Sequence, residues 1–177
     1  FFPSLNHTMH FKTFFLLIFF ITVSDIIQAQ DHFKVCFFLL EECKITQAYI
    51  PEINSIHKDF SNDRFEYHAY FSSPASDRSD AQAFADRYKL AIHLEMDSTQ
   101  FWAKKFDITV MPEVVVYNIN LDQIVYQGRI DNLFAKIGKR RSRATQTDLR
   151  DALNSILKGI PIAVPKTTAV GCFLEKM

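Results

Sequence analysis

The sequence predicts an α/β fold, with a central mixed sheet, mainly parallel, helices on both faces and a C-terminal antiparallel hairpin at one edge. Three observations carry that expectation. Apolar runs of strand length alternate with stretches of helical periodicity. Cys43 ends one apolar run and opens an amphipathic stretch, eight positions before Pro51. Far downstream, Met111-Pro112 opens the apolar run Val114-Val115-Val116-Tyr117, and proline is tolerated at a strand's first position because no ladder N–H is missed there. An X-Pro bond at such a point is also a candidate cis peptide.

His32 to Leu40 is rich in Phe, Val and Leu without clean alternation, as in a strand buried on both faces. Glu41 to Lys44 is the turn, and Thr46 is the expected cap of the next helix. In that helix Tyr49, Ile50, Ile53, Ile56, His57 and Phe60 recur on one face. Phe65 to Phe71 reads as a strand and Asp77 to Lys89 as a helix that buries Ala81, Phe84, Ala85 and Tyr88. Ala91 to Met96 is a short strand, and Ser98 or Thr99 caps a helix through Trp102 and Phe106. Val110 to Asn118 is the strand around Pro112, returning through a hairpin into Ile124 to Ile130. Thr145 to Leu157 is the last helix, with a Thr145-x-x-Asp148 cap and a stop at Gly159. The basic connector Lys136 to Arg143 and the tail from Pro161 to Met177 fall outside the alternation.

A chain of 177 residues with 48% hydrophobic and 14% aromatic content can bury a proper core. Twenty basic and twenty acidic residues cancel, so no global field steers the protein toward nucleic acid or an anionic membrane. Three cysteines are too few for a disulfide scaffold, but suffice for one redox pair and a spare. Residues 1–29 read as an export signal with Met9 as the expected start: His10 and Lys12 precede the run Phe14 to Val23, and Ile27-Gln28-Ala29 can end a cleavable segment. The run of about ten residues falls short of the roughly twenty that span a bilayer. The expected mature chain is therefore one domain over 30–177, exported, without stable membrane insertion.

The chemistry expected of this chain centres on Cys43. A thiol at a strand-to-helix turn meets the free N–H groups and positive end of the helix, which favour the reactive thiolate. Glu41 and Glu42 would oppose ionisation if close. Cys172 is the natural partner, since its tail is long enough to reach back, and a Cys43–Cys172 disulfide, permanent or cycling, is left open. Cys36, mid-strand, reads as a core residue. Glu113 reads as an edge residue more than a proton relay, Arg129 as a partner of Asp131, and the basic connector as a solvated loop. His32, His57, His68 and His93 show no metal-ligand spacing, so neither metal nor other cofactor is expected.

The stretches Glu42-Cys43-Lys44-Ile45-Thr46, Gly128-Arg129-Ile130-Asp131, Thr147 to Leu153 and Thr168-Ala169-Val170-Gly171-Cys172 resemble, in this order, blocks of the thioredoxin-like superfamily. The likeness is to its secreted redoxin branch related to alkyl hydroperoxide reductase and thiol-specific antioxidant proteins. Cys43 matches the first cysteine of Cys-x-x-Cys, Pro51 the helix-kinking proline and Met111-Pro112 the cis-proline turn. The resemblance implies that Met111, Pro112 and Thr46 bind substrate, with the backbone before the proline offered to an extended peptide or thiol. Departures are equally plain: Thr46 replaces the second cysteine, Leu40-Glu41-Glu42 replace the peroxidatic Pro and Thr, and Gln47 excludes a copper-delivery Cys-x-x-x-Cys.

The resulting expectation is an exported redoxin. Its catalytic residues are Cys43 and Cys172, and it acts on protein thiols or disulfides, or on peroxide, with an unidentified electron donor. The alternative is a non-catalytic module that docks on a protein of a respiratory or copper-dependent oxidation system. An exposed Cys43 beside Met111-Pro112 favours chemistry, and a buried one favours docking.

Overall fold

The computed structural model describes residues 31–177, so the expected export signal at 1–29 lies outside the described residues. In chain order the elements are β1 (Phe33–Leu39), α1 (Lys44–Asp59), β2 (Phe65–Phe71), α2 (Arg78–Tyr88), β3 (His93–Met96), α3 (Phe101–Lys105), β4 (Val110–Met111), β5 (Glu113–Asn118), β6 (Gln123–Gly128), β7 (Phe134–Lys136), β8 (Lys139–Arg140), α4 (Asp148–Lys158) and β9 (Cys172–Phe173). The main sheet has the order β3-β2-β1-β5-β6. β1, β2 and β3 run parallel, while β5 pairs antiparallel with both β1 and β6. This is the mixed α/β sheet with an antiparallel edge that the alternation predicts.

β1 lies at the sheet's centre, and its residues divide between two cores. Val35, Phe37 and Leu39 join one with Ile45, Tyr49, Ile50, Ile53 and Ile56 of α1, Ala81 and Phe84 of α2, and Leu149, Ala152, Leu153 and Ile156 of α4. Cys36 and Phe38 join the other with Tyr70, Ala103, Phe106, Met111 and Val115. Each large apolar side chain taken fully from water contributes roughly 1.5–3 kcal/mol. Three helices thus cover one face, and the single-turn α3 with Leu174 of the tail serves the other. Among the described residues no helix is long and apolar enough to cross a membrane.

Several local expectations are corrected. Thr46 does not cap α1: Cys43 is the N-cap, in extended conformation, and its carbonyl accepts from Gln47 N–H at 3.0 Å. The tight turn that hydrogen-bonds Cys43 N–H to Leu40 O at 3.1 Å starts the helix early. Thr46 is left buried, its hydroxyl accepting from Leu40 N–H at 3.4 Å. Neither Ser98 nor Thr99 caps α3. The Asp97 carboxylate accepts from the N–H groups of Trp102 (3.1 Å) and Ala103 (3.0 Å) and from Ser72 Oγ (2.8 Å). The run from Val110 to Asn118 is two strands, because Pro112, which cannot donate, breaks it; β4 pairs with the tail and β5 with β1 and β6. The basic connector is not all loop: it holds the turn Ile137-Gly138 and the second strand of the small hairpin β7–β8, which begins before it at Phe134. α4 begins at Asp148, not Thr145, because Asn132 Oδ1 takes the N–H groups of Thr145 (2.8 Å) and Gln146 (3.1 Å). Gly159 ends α4 in the left-handed region, as expected.

The tail returns along β6 and across the sheet's end. Pro165 O accepts from Gln127 N–H and Thr167 N–H donates to Gln127 O, both at 3.0 Å. Gly128, at φ +144°, lies so close that a Cβ there would come within 2.2 Å of Thr167 Oγ1. β9 then pairs antiparallel with β4, Met111 opposite Cys172.

Asp97→Ala removes the acceptor that serves two otherwise unpaired helix N–H groups. It should lower unfolding free energy by about 1–2 kcal/mol, read as a shift of the urea midpoint. An unchanged midpoint would show that α3 holds without this cap.

Candidate functional site

The site forms where three backbone segments meet: the N-terminus of α1, the cis Met111–Pro112 bond after β4, and β9. Cys43 Sγ lies 3.5 Å from the Met111 carbonyl oxygen, to which its neutral thiol donates. Burial, the largest influence on Cys43, opposes ionisation. Hydrogen bonds from the Cys172 thiol and from the N–H groups of Thr46, Ile45 and Cys172 outweigh it, so Cys43 titrates below an ordinary thiol. The same contact acts oppositely on its partner. Burial first, then the bond donated to Cys43 and the Cys43 charge, push Cys172 up to about 12. The two thiols therefore titrate in opposite directions, Cys43 first.

The structure thus brings together Cys43, Cys172, Met111, Pro112 and Thr46. Thr46 contributes its backbone N–H to Cys43, while its hydroxyl faces Leu40. Cys43 itself is only 2% exposed. Glu41 is engaged elsewhere, its Oε2 accepting from Ser76 Oγ at 2.7 Å, and Glu42 is exposed. Cys36 stays in β1, buried, and burial pushes its thiol far above the ordinary range. Arg129 pairs with Asp148, at 2.8 and 3.1 Å, instead of Asp131, which accepts from Tyr49 OH at 2.7 Å. His68 lies between Glu95 (2.5 Å) and Glu66 (3.5 Å). Among the described residues no cluster of three or more His, Cys, Asp or Glu is arranged to hold a metal.

One feature of the neighbourhood escapes a reading of the sequence, the contact of Gly171, and one is corrected, since Glu113 is not at an edge but buried on β5 between β1 and β6. Gly171 packs so tightly beneath β4 that a Cβ would fall 2.1 Å from Met111 O and 2.9 Å from Pro112 N. Its only sequence signal is its place immediately before Cys172. Glu113, directly after Pro112, is 8% exposed, and burial raises its carboxyl to about 7 although Gln127 Nε2 donates to it at 3.2 Å. A lone acid opening the apolar run Val114 to Tyr117 was the available sign.

No protein-family model and no curated protein matches the chain. Solved structures do. A hypothetical protein from Sinorhizobium meliloti 1021 is similar at 20% identity and a TM-score of 0.71, over 84% of this chain and 81% of that one. An uncharacterized conserved protein from Geobacillus kaustophilus is similar at 19% identity and 0.70, over 84% and 79%. A secreted disulfide oxidoreductase of Mycobacterium tuberculosis is similar at 14% identity and 0.50, over 70% and 81%. The architecture is a thioredoxin-like fold, as the sequence resemblance implies.

Glu113 gives a pH-dependent prediction. A carboxyl raised to about 7 by burial binds a proton more tightly folded than unfolded. Its contribution to stability is full below its ordinary value near 4.3 and is lost as pH rises through about 7. Glu113→Gln should therefore match the wild type near pH 4 and exceed it by about 1–3 kcal/mol near pH 8 in urea unfolding. Parallel pH profiles for the two proteins would contradict the raised value.

Proposed function

We propose that the protein is an exported thiol-disulfide oxidoreductase whose redox centre is the pair Cys43 and Cys172. The observation that carries this reading is that both cysteines meet Met111 beside the N-terminus of α1: Cys43 Sγ lies 3.5 Å from its carbonyl oxygen, and Cys172 is its partner in the β4–β9 pair. In one direction the two thiols give up two electrons and two protons and form one S–S bond, while a partner disulfide accepts them and becomes two thiols. The other direction reverses each change. Ile45 and Thr46 hold the Cys43 thiolate through their N–H groups, and Met111 and Pro112 fix the strand on which Cys172 rests. Protein thiols or disulfides are the proposed substrates, with a separate electron donor closing the cycle.

The buried state of Cys43 is the condition set for a docking module. What lies over it, however, is the strand that carries a second thiol, Cys172 opposite Met111, which gives the burial a chemical use. Peroxide reduction is the weaker version of the proposal, because Leu40-Glu41-Glu42 lack the Pro and Thr that would prepare a peroxide. Export rests on the basic and apolar pattern that ends at Ala29.

Oxidation of the protein by a small disulfide should remove two hydrogens and link the Cys43 and Cys172 peptides in non-reducing mass mapping. Cys43→Ser and Cys172→Ser should each return thiol-driven reduction of a polypeptide disulfide to its uncatalysed rate. A protein in which no Cys43–Cys172 link forms, or in which Cys43→Ser keeps its rate, does not work this way.

A further inference from the structure

The two sulfurs of the site are unequally reachable, and the inequality is built by the backbone. Cys43 Sγ is closed in by the Met111 carbonyl, the N–H groups of Ile45 and Thr46, and Cys172. Cys172 is only partly buried, and its neighbour Phe173 is 81% exposed. The tail that carries Cys172 is pinned on both sides. Upstream, Gly171 lies against Met111-Pro112 at a distance only a glycine tolerates. Downstream, Leu174 N–H donates to Thr109 O at 2.9 Å, while the Gln100 side chain donates to Glu175 O at 2.6 Å and accepts from Met177 N–H at 3.0 Å. The Met111 edge, where an extended peptide would add as a strand, is filled by residues 172 and 173 of the chain itself. Both cysteines already meet Met111, so a disulfide of about 2.05 Å forms beneath this covering.

Building on the dithiol reading above, we propose that an incoming thiol attacks the Cys43–Cys172 disulfide at Cys172, so that the partner is carried on the tail and Cys43 is the internal leaving group. The roles expected from the sequence, attack at Cys43 and resolution by Cys172, are exchanged in this direction. The incoming thiolate forms an S–S bond to Cys172 Sγ. The Cys43–Cys172 bond breaks, and its electron pair stays on Cys43 Sγ, where the N–H groups of Ile45 and Thr46 receive the charge. A second thiol of the same partner then attacks the partner's own sulfur in the mixed disulfide. Cys172 leaves as a thiolate and takes up one proton, Cys43 takes up the other, and the partner departs as a disulfide, having lost two electrons and two protons overall.

Exchange needs the attacking sulfur in line with the bond that breaks. Cys43, 2% exposed beside the helix terminus and Met111, is obstructed to that approach, whereas Cys172 is only partly buried. Leaving-group order points the same way, because the more acidic thiol leaves faster, and Cys43 is the more acidic of the two.

The test uses the oxidised full chain, a limiting monothiol such as 2-mercaptoethanol, rapid alkylation with N-ethylmaleimide and peptide mass mapping. The expected product carries the mercaptoethanol adduct on Cys172 and the maleimide on Cys43, in excess of the opposite arrangement by roughly tenfold or more. An adduct on Cys43, alone or in equal amount, overturns the proposal while leaving the dithiol reading intact. If no Cys43–Cys172 disulfide can be prepared, both fall. Gly171→Ala, whose Cβ must push the tail from Met111, should move the adduct toward Cys43. An unchanged partition in that variant would also overturn the proposal, because docking of the tail would then not govern access.

Discussion

The pairing of β9 with β4 is the contact on which the site depends, and it exists because residue 171 has no side chain. Any Cβ there would sit 2.1 Å from the Met111 carbonyl oxygen, so with another residue the tail would have to ride higher on the sheet's end. Cys172 would then lie farther from Cys43, and its donated hydrogen bond would weaken. The part that Cys172 plays in lowering the Cys43 pKa, the raised pKa of Cys172 and the covering of Cys43 by the tail thus share this steric origin. A second close approach upstream, Gly128 against Thr167, fixes the path of the tail before it reaches the site. Thr167 Oγ1 there meets Tyr126 OH at 2.9 Å and accepts from Arg129 N–H at 3.0 Å.

Three cysteines in one small domain occupy three different environments, and burial alone does not sort them. Cys36 and Cys43 are both removed from solvent, yet their thiols shift in opposite directions. The difference lies in donors. Cys36 sits mid-strand, where the N–H groups around it are committed to the β2 and β5 ladders, so burial is opposed only by the charges of Lys34 and Lys105 and prevails. Cys43 caps a helix whose first N–H groups have no partner within the helix, and these supply what burial withholds. A thiolate can be kept dry only where such donors are already assembled.

Elements whose causes are local were legible in the sequence. The strand Phe65–Phe71, the helix read over Asp77 to Lys89 and the stop at Gly159 each follow from a few neighbouring residues, and the structure places them as read, with Asp77 as the helix's N-cap. Cys43 and Met111-Pro112 were legible as a pair because helix termini and proline have fixed geometric consequences. The caps of α3 and α4 were misread for a common reason. In each case a side chain other than the nearest Ser or Thr decides: Asp97 takes the free N–H groups of α3, and Asn132 holds the N–H groups of Thr145 and Gln146 outside α4. The division of Val110 to Asn118 was missed because one half pairs with a segment about sixty residues later, and ladder partners leave no mark in a strand's own sequence. Gly171 was visible as a residue but not as a contact, since its role is defined only by what lies opposite.

The absence of a second cysteine at position 46 has a thermodynamic consequence. A dithiol within one helical turn is held together by that helix, whereas here the second thiol arrives from the far end of the domain, and only tertiary contacts bring it to Cys43. Whatever stabilises the docked tail therefore also favours the disulfide, because the cost of closing a long loop is borne by the fold instead of by the bond. The helix N–H groups act in the opposite sense: they stabilise the thiolate, hence the reduced form, and make the disulfide more oxidising. For this two-electron couple about 1.4 kcal/mol corresponds to roughly 30 mV. The poise of the pair is thus set by a contest between tail docking at Gly171, Leu174 and Gln100 and anion stabilisation at Ile45 and Thr46. These residues lie on separate elements, so a substitution can change one side of the contest while leaving the other in place.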